Sequence, residues 1–323
     1  MKSVNSPPCH LVYRTKLGRL YCGKSEEVLQ TRRFLRHKGK VQLVFTSPPF
    51  PLNRKKKYGN LSGTAYAQWL AAFASILAGY LTPDGSIVIE LGNAWENGRP
   101  TMSTLPLETL LAFKEAAKLY LCQEFICFNP ARLPSPAQWV NVERCRVKDS
   151  FTRLWWLSPT DRPKADNRRV LQEYSDSMKK LLKSGRYNAG RRPSEHHIGE
   201  ESFLTNNGGA IPSNVMTEGF VADLLTIANT KTNDPYQVHC RRTGREPHPA
   251  RMPLQVPEFF VKLLTDAGDL VLDPFAGSNT TGRSAENLRR RWISIEVDSA
   301  YAEGSRGRFQ TLNRCRRIAA GRR

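Results

Sequence analysis

The stretch Val41–Phe50, with the sequence VQLVFTSPPF, gives the strongest indication of the fold. Its first six residues have the apolar, β-branched and aromatic character of a buried strand, and the two prolines end that strand. Open α/β sheets place their chemistry at the carboxyl ends of central strands. The turn Ser47–Phe50 offers a hydroxyl, backbone carbonyls and an aromatic ring, which suit a planar group that carries an amine. Taken alone, the tetrapeptide is equally compatible with a proline-rich surface turn.

A second stretch favours the functional interpretation. Residues Asp269–Gly282, DLVLDPFAGSNTTG, have the pattern of a strand, a tight turn of small residues and the start of a helix. Gly277 allows a ligand to approach the backbone, and the following helix presents free N–H groups. The next apolar run ends in Glu296. An acid roughly 20 residues beyond a glycine turn is where a nucleotide-type cofactor finds a partner for its ribose hydroxyls.

The glycine turn also has two other interpretations. Residues Gly277–Ser284 spell G-x-x-x-x-G-R-S, one residue from a phosphate-binding loop. Arg283 replaces the lysine that contacts the terminal phosphates in such loops, and the preceding Asp-Pro-Phe has no role in an NTPase. A purely structural βα turn is the better alternative, and the SPPF motif in the same chain argues against it.

Together the two motifs resemble those of the permuted amino-methyltransferase family of DNA methyltransferases, which act on cytosine N4 or adenine N6 and use S-adenosylmethionine. The catalytic motif of that family is S/D/N-P-P-Y/F/W, and its cofactor motif is D-P-F-x-G-S-G/N-T-T. The catalytic motif comes first here, as in the permuted subgroup. The resemblance covers roughly Arg19–Gln310 and includes three further segments: RLYCGKS at 19–25, NPARLPSP at 129–136 and HPARMP at 248–253.

Alternating strand and helix patterns predict a doubly wound, Rossmann-like α/β sheet, mostly parallel with a reversed last hairpin near Phe151–Leu157. We also predict one continuous helix at Glu26–Arg36. Residues 161–246 interrupt the alternation, because they are polar and contain one clear helix, at Arg168–Leu182. A disordered insertion is one interpretation of this segment. The resemblance instead implies a smaller target-recognition domain with major-groove contacts.

The predicted organisation has four parts. They are a catalytic half at 1–160, a target-recognition domain at 161–246, a cofactor-binding half at 247–312 and a basic tail at 313–323.

Composition is consistent with a DNA substrate. The chain has 323 residues, 40% of them hydrophobic, a net charge of +20 and a pI near 9.9, which together indicate a polyanionic partner. An apolar run of about 18 residues and a signal peptide are both missing from the sequence, so we expect a cytoplasmic, nucleoid-associated protein. The seven cysteines are odd in number and lack C-x-x-C spacing, which predicts reduced thiols and no metal site.

The resemblance implies direct methyl transfer to the exocyclic amine of a flipped base. Ser47 Oγ and the Pro48 carbonyl would accept hydrogen bonds from the amine, Pro49 belongs to the same motif, and Phe50 would stack on the base. Glu90, at the end of a predicted strand, is a further catalytic candidate, with a purely structural role as the equal alternative. Serine at the start of the motif indicates cytosine N4. Adenine N6 and an inactive DNA-binding relative are the alternatives.

The expected cofactor is S-adenosylmethionine. Lys24 departs from the family, because an aspartate there commonly accepts a hydrogen bond from the adenine amine and a lysine cannot. The residues expected to bind the cofactor are Gly23, Ser25, Thr46, Asp273, Phe275, Gly277, Ser278, Asn279, Thr280 and Glu296.

Double-stranded DNA is the expected partner, bound by a monomer. A basic run follows the catalytic turn, and four cations beside a polyanionic substrate would form a phosphate clamp. A solvated charged loop is the usual alternative. The residues expected to bind DNA are Arg54, Lys55, Lys56, Lys57 and Arg132.

Overall fold

The computed structural model describes residues 9–50, 61, 63–186, 189–199, 203–216 and 234–310. The strands are β1 (His10–Arg14), β2 (Gly18–Cys22), β3 (Val41–Thr46), β4 (Leu81–Leu91), β5 (Tyr120–Phe128), β6 (Phe151–Ser158), β7 (Gly190–Arg191), β8 (His197–Ile198), β9 (Val215–Met216), β10 (Leu270–Asp273) and β11 (Arg291–Glu296). The α-helices are α1 (Ser25–Val28), α2 (Arg32–Leu35), α3 (Gly63–Ala78), α4 (Leu105–Ala116), α5 (Asp176–Ser184), α6 (Pro235–Arg242), α7 (Gln255–Leu264), α8 (Thr280–Asn287) and α9 (Ser299–Ser305).

Within these ranges, nine strands form one sheet in the order β1-β2-β11-β10-β3-β4-β6-β5-β9. The five strands from β2 to β4 are parallel to one another, while β1 runs antiparallel to β2 and β6 runs antiparallel between β4 and β5. The predicted doubly wound, mostly parallel sheet with a reversed last hairpin is therefore confirmed. Strand β3 lies between β10 and β4, at the centre of the sheet, and all six of its residues are buried.

Helices cover both faces of the sheet, which explains why β3 is apolar on both sides. On one face, Phe73 of α3 belongs to the same buried cluster as Val44. On the other face, the ring of Phe45 lies 5.5 Å from that of Phe260 in α7, measured between centroids. The turn at Ser47–Phe50 therefore follows a strand that has a neighbouring strand on each side and a helix packed on each face.

The prediction of one continuous helix at Glu26–Arg36 is wrong. Two short helices, α1 and α2, replace it, with the Thr31 hydroxyl donating to the Val28 carbonyl at 2.8 Å between them. The bend brings Val28, Leu29 and Phe34 into the core, where each is at most 2% exposed. A straight helix keeps a single apolar stripe, so burial of these three side chains favours the break.

Residues Asp166–Ser213 form a separate compact unit, and the remaining residues form the other unit. The separate unit contains the hairpin of β7 and β8 and a backbone pair between Gln172 and Ala210. Its helix differs from the predicted Arg168–Leu182, because a 3₁₀ turn at Asn167–Val170 precedes α5. Ser175 sets the start of α5 by accepting a hydrogen bond from the Met178 N–H.

Across the described ranges, the structure contains no helix that is long and apolar enough to span a membrane.

Candidate active site

The two sequence motifs meet at the carboxyl ends of β3 and β10, which are adjacent and parallel. Thr46 ends β3, and its hydroxyl donates to Asp273 Oδ1 at 2.8 Å, joining residues 227 positions apart. The same oxygen accepts from the Phe275 N–H at 3.1 Å. Burial raises the pKa of Asp273 to about 6, although hydrogen bonds from Thr281, Thr46 and the backbone oppose the shift. Asp273 thereby fixes the cofactor-motif turn against the catalytic strand.

A cavity of about 560 Å³ opens between the two turns. That volume lies within the range of about 300–1,000 Å³ that is common for small-molecule sites. Predicted residues on its wall are Ser25, Ser47, Pro48, Pro49, Phe50, Glu90, Arg132, Asp273, Phe275, Gly277, Ser278, Thr280 and Glu296. The structure therefore gathers most of the predicted catalytic and cofactor residues around one cavity.

Ser47 and Glu90 both line the cavity, and the Ser47 hydroxyl lies close enough to the Glu90 carboxylate to favour its ionised form. The Thr152 hydroxyl donates to Glu90 Oε1 at 3.1 Å. Enclosure by protein raises the pKa of Glu90, while the Ser47 and Thr152 hydrogen bonds and the positive charge of Arg132 oppose that shift. The Ser47 oxygen on the cavity wall can accept a hydrogen bond from a bound group.

The ring of Phe50 lies against the backbone of Gly92. A Cβ atom built on Gly92 would be 2.8 Å from Phe50 Cε2 and 2.9 Å from Cδ2. Real Cβ atoms do not approach other heavy atoms so closely, so the ring position requires glycine here. Gly92 was missed from the sequence, because nothing local identifies the ring that packs on it.

Gly92→Ala is expected to displace the Phe50 ring and to lower kcat/KM of the methyl transfer that the sequence predicts by about tenfold or more, since small displacements of binding groups are costly. The expected change in thermal stability is small, because the ring can rotate toward the cavity. Steady-state kinetics and a thermal melt would measure both quantities. Gly79→Ala is the control, since a Cβ there meets no atom closer than 3.5 Å. An unchanged kcat/KM in Gly92→Ala would show that the ring position does not matter.

Elsewhere on the cavity wall, both oxygens of Glu296 accept backbone hydrogen bonds. Oε2 accepts from the Gly277 N–H at 2.6 Å and Oε1 from the Asp298 N–H at 2.9 Å. Burial raises the pKa of Glu296 to about 7, although these two hydrogen bonds oppose the shift. Gly277 has a φ of +50°, a backbone conformation that favours glycine. A Cβ atom built on Gly277 would lie 3.2 Å from the His248 ring. This part of the cavity wall therefore offers a carboxylate acceptor beside a glycine turn that packs against the His248 ring.

Three predicted cofactor residues are not on the cavity wall. The Gly23 N–H donates to the Glu296 carbonyl at 2.9 Å, and Thr46 is bonded to Asp273 as described. Asn279 adopts a left-handed backbone with φ of 55° and directs its side chain to Tyr13, Gly282 and Ser294. Through these hydrogen bonds, Gly23, Thr46 and Asn279 hold the turns whose other residues line the cavity.

Arg308 holds the turn at Gly277 and Ser278 through hydrogen bonds, a role that the sequence analysis did not predict. Its Nε donates to the Ser278 carbonyl at 2.7 Å and its Nη2 to Ser278 Oγ at 2.9 Å. Arg308 is 9% exposed, and its Nη1 lies 3.5 Å from Asp234 Oδ2. A buried, paired arginine holds Ser278 in place because its fork donates two hydrogen bonds to the same residue.

Lys24, which replaces the aspartate common in the family, lies close to two carboxylates in the chain, Glu26 and Glu27. The Lys24 ammonium lies 3.5 Å from Glu27 Oε1, and the side chain is about half exposed. Glu26 lies on the cavity wall, where its Oε1 accepts from the Trp69 indole N–H at 2.8 Å. Trp69 also contacts the Phe275 ring at 5.6 Å between centroids. A fixed carboxylate therefore lines the cavity two residues after the unexpected lysine.

Tyr66 is another wall residue that sequence reasoning missed. Its side chain is 1% exposed, and its hydroxyl has no hydrogen-bond partner among the residues that the structure describes. Burial raises the pKa of this hydroxyl. A buried, unpaired hydroxyl at the wall of a cavity is a donor for a bound group, because leaving it unpaired is costly.

The predicted DNA-binding residues fall in two places. Arg54, Lys55, Lys56 and Lys57 lie outside the described residues. Arg132 lines the cavity, and its Nη1 donates to the Phe151 carbonyl at 2.9 Å. Its charge also acts on Glu90, so Arg132 lies near that predicted catalytic residue.

Within the described ranges, no group of three or more His, Cys, Asp or Glu side chains is arranged to hold a metal ion.

Comparison with known proteins gives the family. A DNA methylase family model matches residues 41–306. The chain belongs to this DNA methylase family. The resemblance predicted from the sequence is thereby confirmed.

Two relatives of this DNA methylase illustrate the match. The type II methyltransferase M.PvuII from Proteus hauseri is 42% identical over 303 residues, which are 93% of this chain and 86% of that protein. The type II methyltransferase M.BglII from Bacillus subtilis is 24% identical over 81% of this chain and 62% of that protein.

Solved structures give the same fold. The PvuII DNA methyltransferase (cytosine-N4-specific) superposes with a TM-score of 0.71 and 36% identity, covering 93% of this chain and 88% of that one. The M1.HpyAVI–SAM complex superposes with a TM-score of 0.51 and 17% identity, covering 91% of this chain and all of that one. The second likeness concerns the fold alone.

Proposed function

We propose that this DNA methylase transfers a methyl group from S-adenosylmethionine to the N4 amine of a cytosine that is flipped out of duplex DNA, within a restriction-modification system. The observation that carries the proposal is the placement of Ser47, Glu90 and Glu296 on the wall of one cavity. The similarity to the cytosine-N4-specific PvuII enzyme supports cytosine as the target, as does the serine that opens the catalytic motif.

The cavity residues fit S-adenosylmethionine. Its ribose hydroxyls need an acceptor, which Glu296 provides, and the unpaired Tyr66 hydroxyl needs a polar partner in the cavity. Glu26 supplies an acceptor for the adenine amine in place of the aspartate that is missing at Lys24. When bound, the cofactor supplies an electrophilic methyl group. The residues that would hold it are Ser25, Glu26, Tyr66, Asp273, Phe275, Gly277, Ser278, Thr280 and Glu296, while Gly23, Thr46 and Asn279 would act by shaping the turns.

The catalytic residues would act on the target amine. The lone pair of an aromatic amine is delocalised into the ring and is a poor nucleophile. Ser47 Oγ and the Pro48 carbonyl would accept hydrogen bonds from the two amine N–H groups and favour a tetrahedral nitrogen, while Phe50 stacks on the base and Pro49 fixes the turn. Positioning and preorganised hydrogen bonds of this kind lower the barrier without a covalent enzyme intermediate.

Glu90 would receive the proton that the amine loses. With the Ser47 hydroxyl donating to the nearby Glu90 carboxylate, a proton from the nitrogen would pass to Ser47 Oγ as the Ser47 proton passes to Glu90. The raised pKa of Glu90 improves its match to this task, since a carboxylate with an ordinary pKa is a weak base at neutral pH.

In this proposal, the smaller unit selects the DNA sequence that is methylated. The target-recognition role remains a prediction for the predicted domain at 161–246, of which Asp166–Ser213 is the compact part. A cytoplasmic, nucleoid-associated location and action as a monomer follow from a chromosomal DNA substrate that needs one strand modified at each visit, and these remain predictions too.

Incubation with S-adenosylmethionine and mixed-sequence duplex DNA, followed by digestion to nucleosides and mass spectrometry, tests the proposed reaction. N4-methylcytosine is the expected product. N6-methyladenine would overturn the choice of base. DNA binding without any methylated nucleoside would indicate an inactive reader, and Lys24 would be the first residue to change.

Replacing Lys55, Lys56 and Lys57 together with alanine is expected to weaken binding to all DNA sequences equally. Each lost phosphate contact lowers the slope of log K against log salt by about 0.9, so the slope falls by up to about 2.7. Binding titrations at several salt concentrations measure the slope. The control replaces Lys38 and Lys40, which precede β3 at the opposite end of that strand. An unchanged slope in the triple variant would identify the run as a solvated loop.

A further inference from the structure

The loop between β5 and β6, residues 129–150, contains an apolar side chain that the fold does not use. Leu133 is 81% exposed. A leucine exposed to this extent adds little to folding stability, because it buries little apolar surface. Single exposed leucines are common on protein surfaces, so exposure alone assigns no role. The position of Leu133 beside the catalytic end of the cavity is what distinguishes it.

Leu133 directly follows the part of the loop that forms the cavity wall. Residues 129–132 line the cavity, and Arg132 is fixed by its hydrogen bond to the Phe151 carbonyl. The Asn129 N–H donates to the Ser150 carbonyl at 2.6 Å, which closes the base of the loop. Leu133 is therefore held at the rim of the cavity, near Glu90, on which the charge of Arg132 acts.

The backbone on both sides of Leu133 is restrained. Pro134 follows it and confines Leu133 to extended conformations, and Lys148 Nζ donates to the Pro130 carbonyl at 2.7 Å. A side chain presented by a restrained backbone loses little entropy on binding, so it is suited to penetrate a partner. The loop carries four cations (Arg132, Arg144, Arg146, Lys148) against two carboxylates (Glu143, Asp149), which complements a polyanion.

We propose that Leu133 enters the space that the target base leaves in the DNA stack. The inference rests on the proposed function, in which the base moves into the cavity. A departed base exposes the apolar faces of the two neighbouring base pairs, and proteins fill such gaps with apolar wedges such as leucine. Contact with those faces stabilises the extruded state, so Leu133 is a positioning residue for the reaction.

Two duplexes separate this role from a structural one. One contains the target cytosine, unmodified and in a normal pair, at the position located by sequencing DNA that the wild-type protein has methylated. The other contains the same cytosine opposite a mismatched base. Leu133→Ala is expected to lower kcat/KM on the paired duplex by about tenfold to a hundredfold, and to stay within about threefold of wild type on the mismatched duplex, because an unpaired base is easier to extrude. Leu133→Met is expected to retain the wild-type rate on both duplexes.

Extrusion is also measured without methyl transfer. A fluorescent cytosine analogue at the target position brightens when it leaves the stack, and Leu133→Ala is expected to reduce that rise while it leaves overall DNA affinity within a few-fold. Val147→Ala is the matched control, because Val147 is 87% exposed on the same loop. It is expected to behave as wild type in both assays.

The outcomes are distinguishable. Equal losses for Leu133→Ala on both duplexes, or the same pattern in Val147→Ala, would overturn the role of Leu133 and leave the proposed function intact. If the wild-type protein methylates no cytosine in mixed-sequence duplex DNA, the proposed function is overturned, and with it the role of Leu133.

Discussion

Ser47→Ala is expected to lower kcat by about a hundredfold to a thousandfold, the usual cost of removing one preorganised hydrogen-bonding group from a transition state. The substitution removes the acceptor for the target amine and its connection to Glu90. The dissociation constant for DNA is expected to stay within about twofold, because phosphate contacts supply most of the affinity. Single-turnover methylation and a binding titration measure the two quantities separately.

The pairing of Ser47 with Glu90 makes this prediction more specific. Glu90→Gln is expected to cause a loss similar to that of Ser47→Ala, and the double variant no further loss, since residues that act as one unit are not additive. Ser75→Ala is the control, because Ser75 donates to the Ala116 carbonyl away from the cavity. Equal decreases in DNA affinity and turnover would contradict the catalytic role, as would additive losses in the double variant.

Glu296→Gln is expected to weaken S-adenosylmethionine binding by about tenfold to a hundredfold, since hydrogen bonds to a charged group contribute about 1.5–3 kcal/mol. In the free protein, burial raises the pKa of Glu296 to about 7. Hydroxyl donors favour the ionised form and so lower that pKa when the cofactor binds. Wild-type affinity is therefore highest above about pH 7 and falls as pH decreases through 7. Calorimetry at pH 5.5–8.5 measures the dependence, which Glu296→Gln should largely remove.

The raised pKa of Glu296 also lowers the free energy of unfolding at neutral pH. A carboxylate whose pKa is raised by folding is harder to ionise in the folded state than in the unfolded chain. The resulting destabilisation is absent below the unfolded pKa of about 4.3 and grows as pH rises toward 7.

Glu303→Gln is the control for the Glu296→Gln affinity measurements, because Glu303 is a partly exposed partner of Arg306. A pH-independent cofactor affinity in the wild-type protein would contradict this account of Glu296.

Much of the fold was predictable because its signals are local. An apolar six-residue run that ends in two prolines identifies β3, and the run before Gly277 identifies β10. Strand β1 was missed, since most of its residues are exposed at the edge of the sheet and it lacks an apolar pattern. The break between α1 and α2 was also missed, because the burial of Phe34 against Tyr21, with rings 4.9 Å apart, is a tertiary contact.

The sequence by itself determined the class of sheet, the family and the two turns that carry the candidate chemistry, because strands, prolines and glycine turns act on their immediate neighbours. Only the tertiary structure decided which side chains meet: Glu26 with Trp69, Phe50 with Gly92, and Arg308 with Ser278. Asn279 shows the same division, since its motif position was evident while its direction, toward Tyr13 rather than the cavity, was not. Contacts between distant residues depend on how strands are ordered and helices packed, and no local periodicity encodes them.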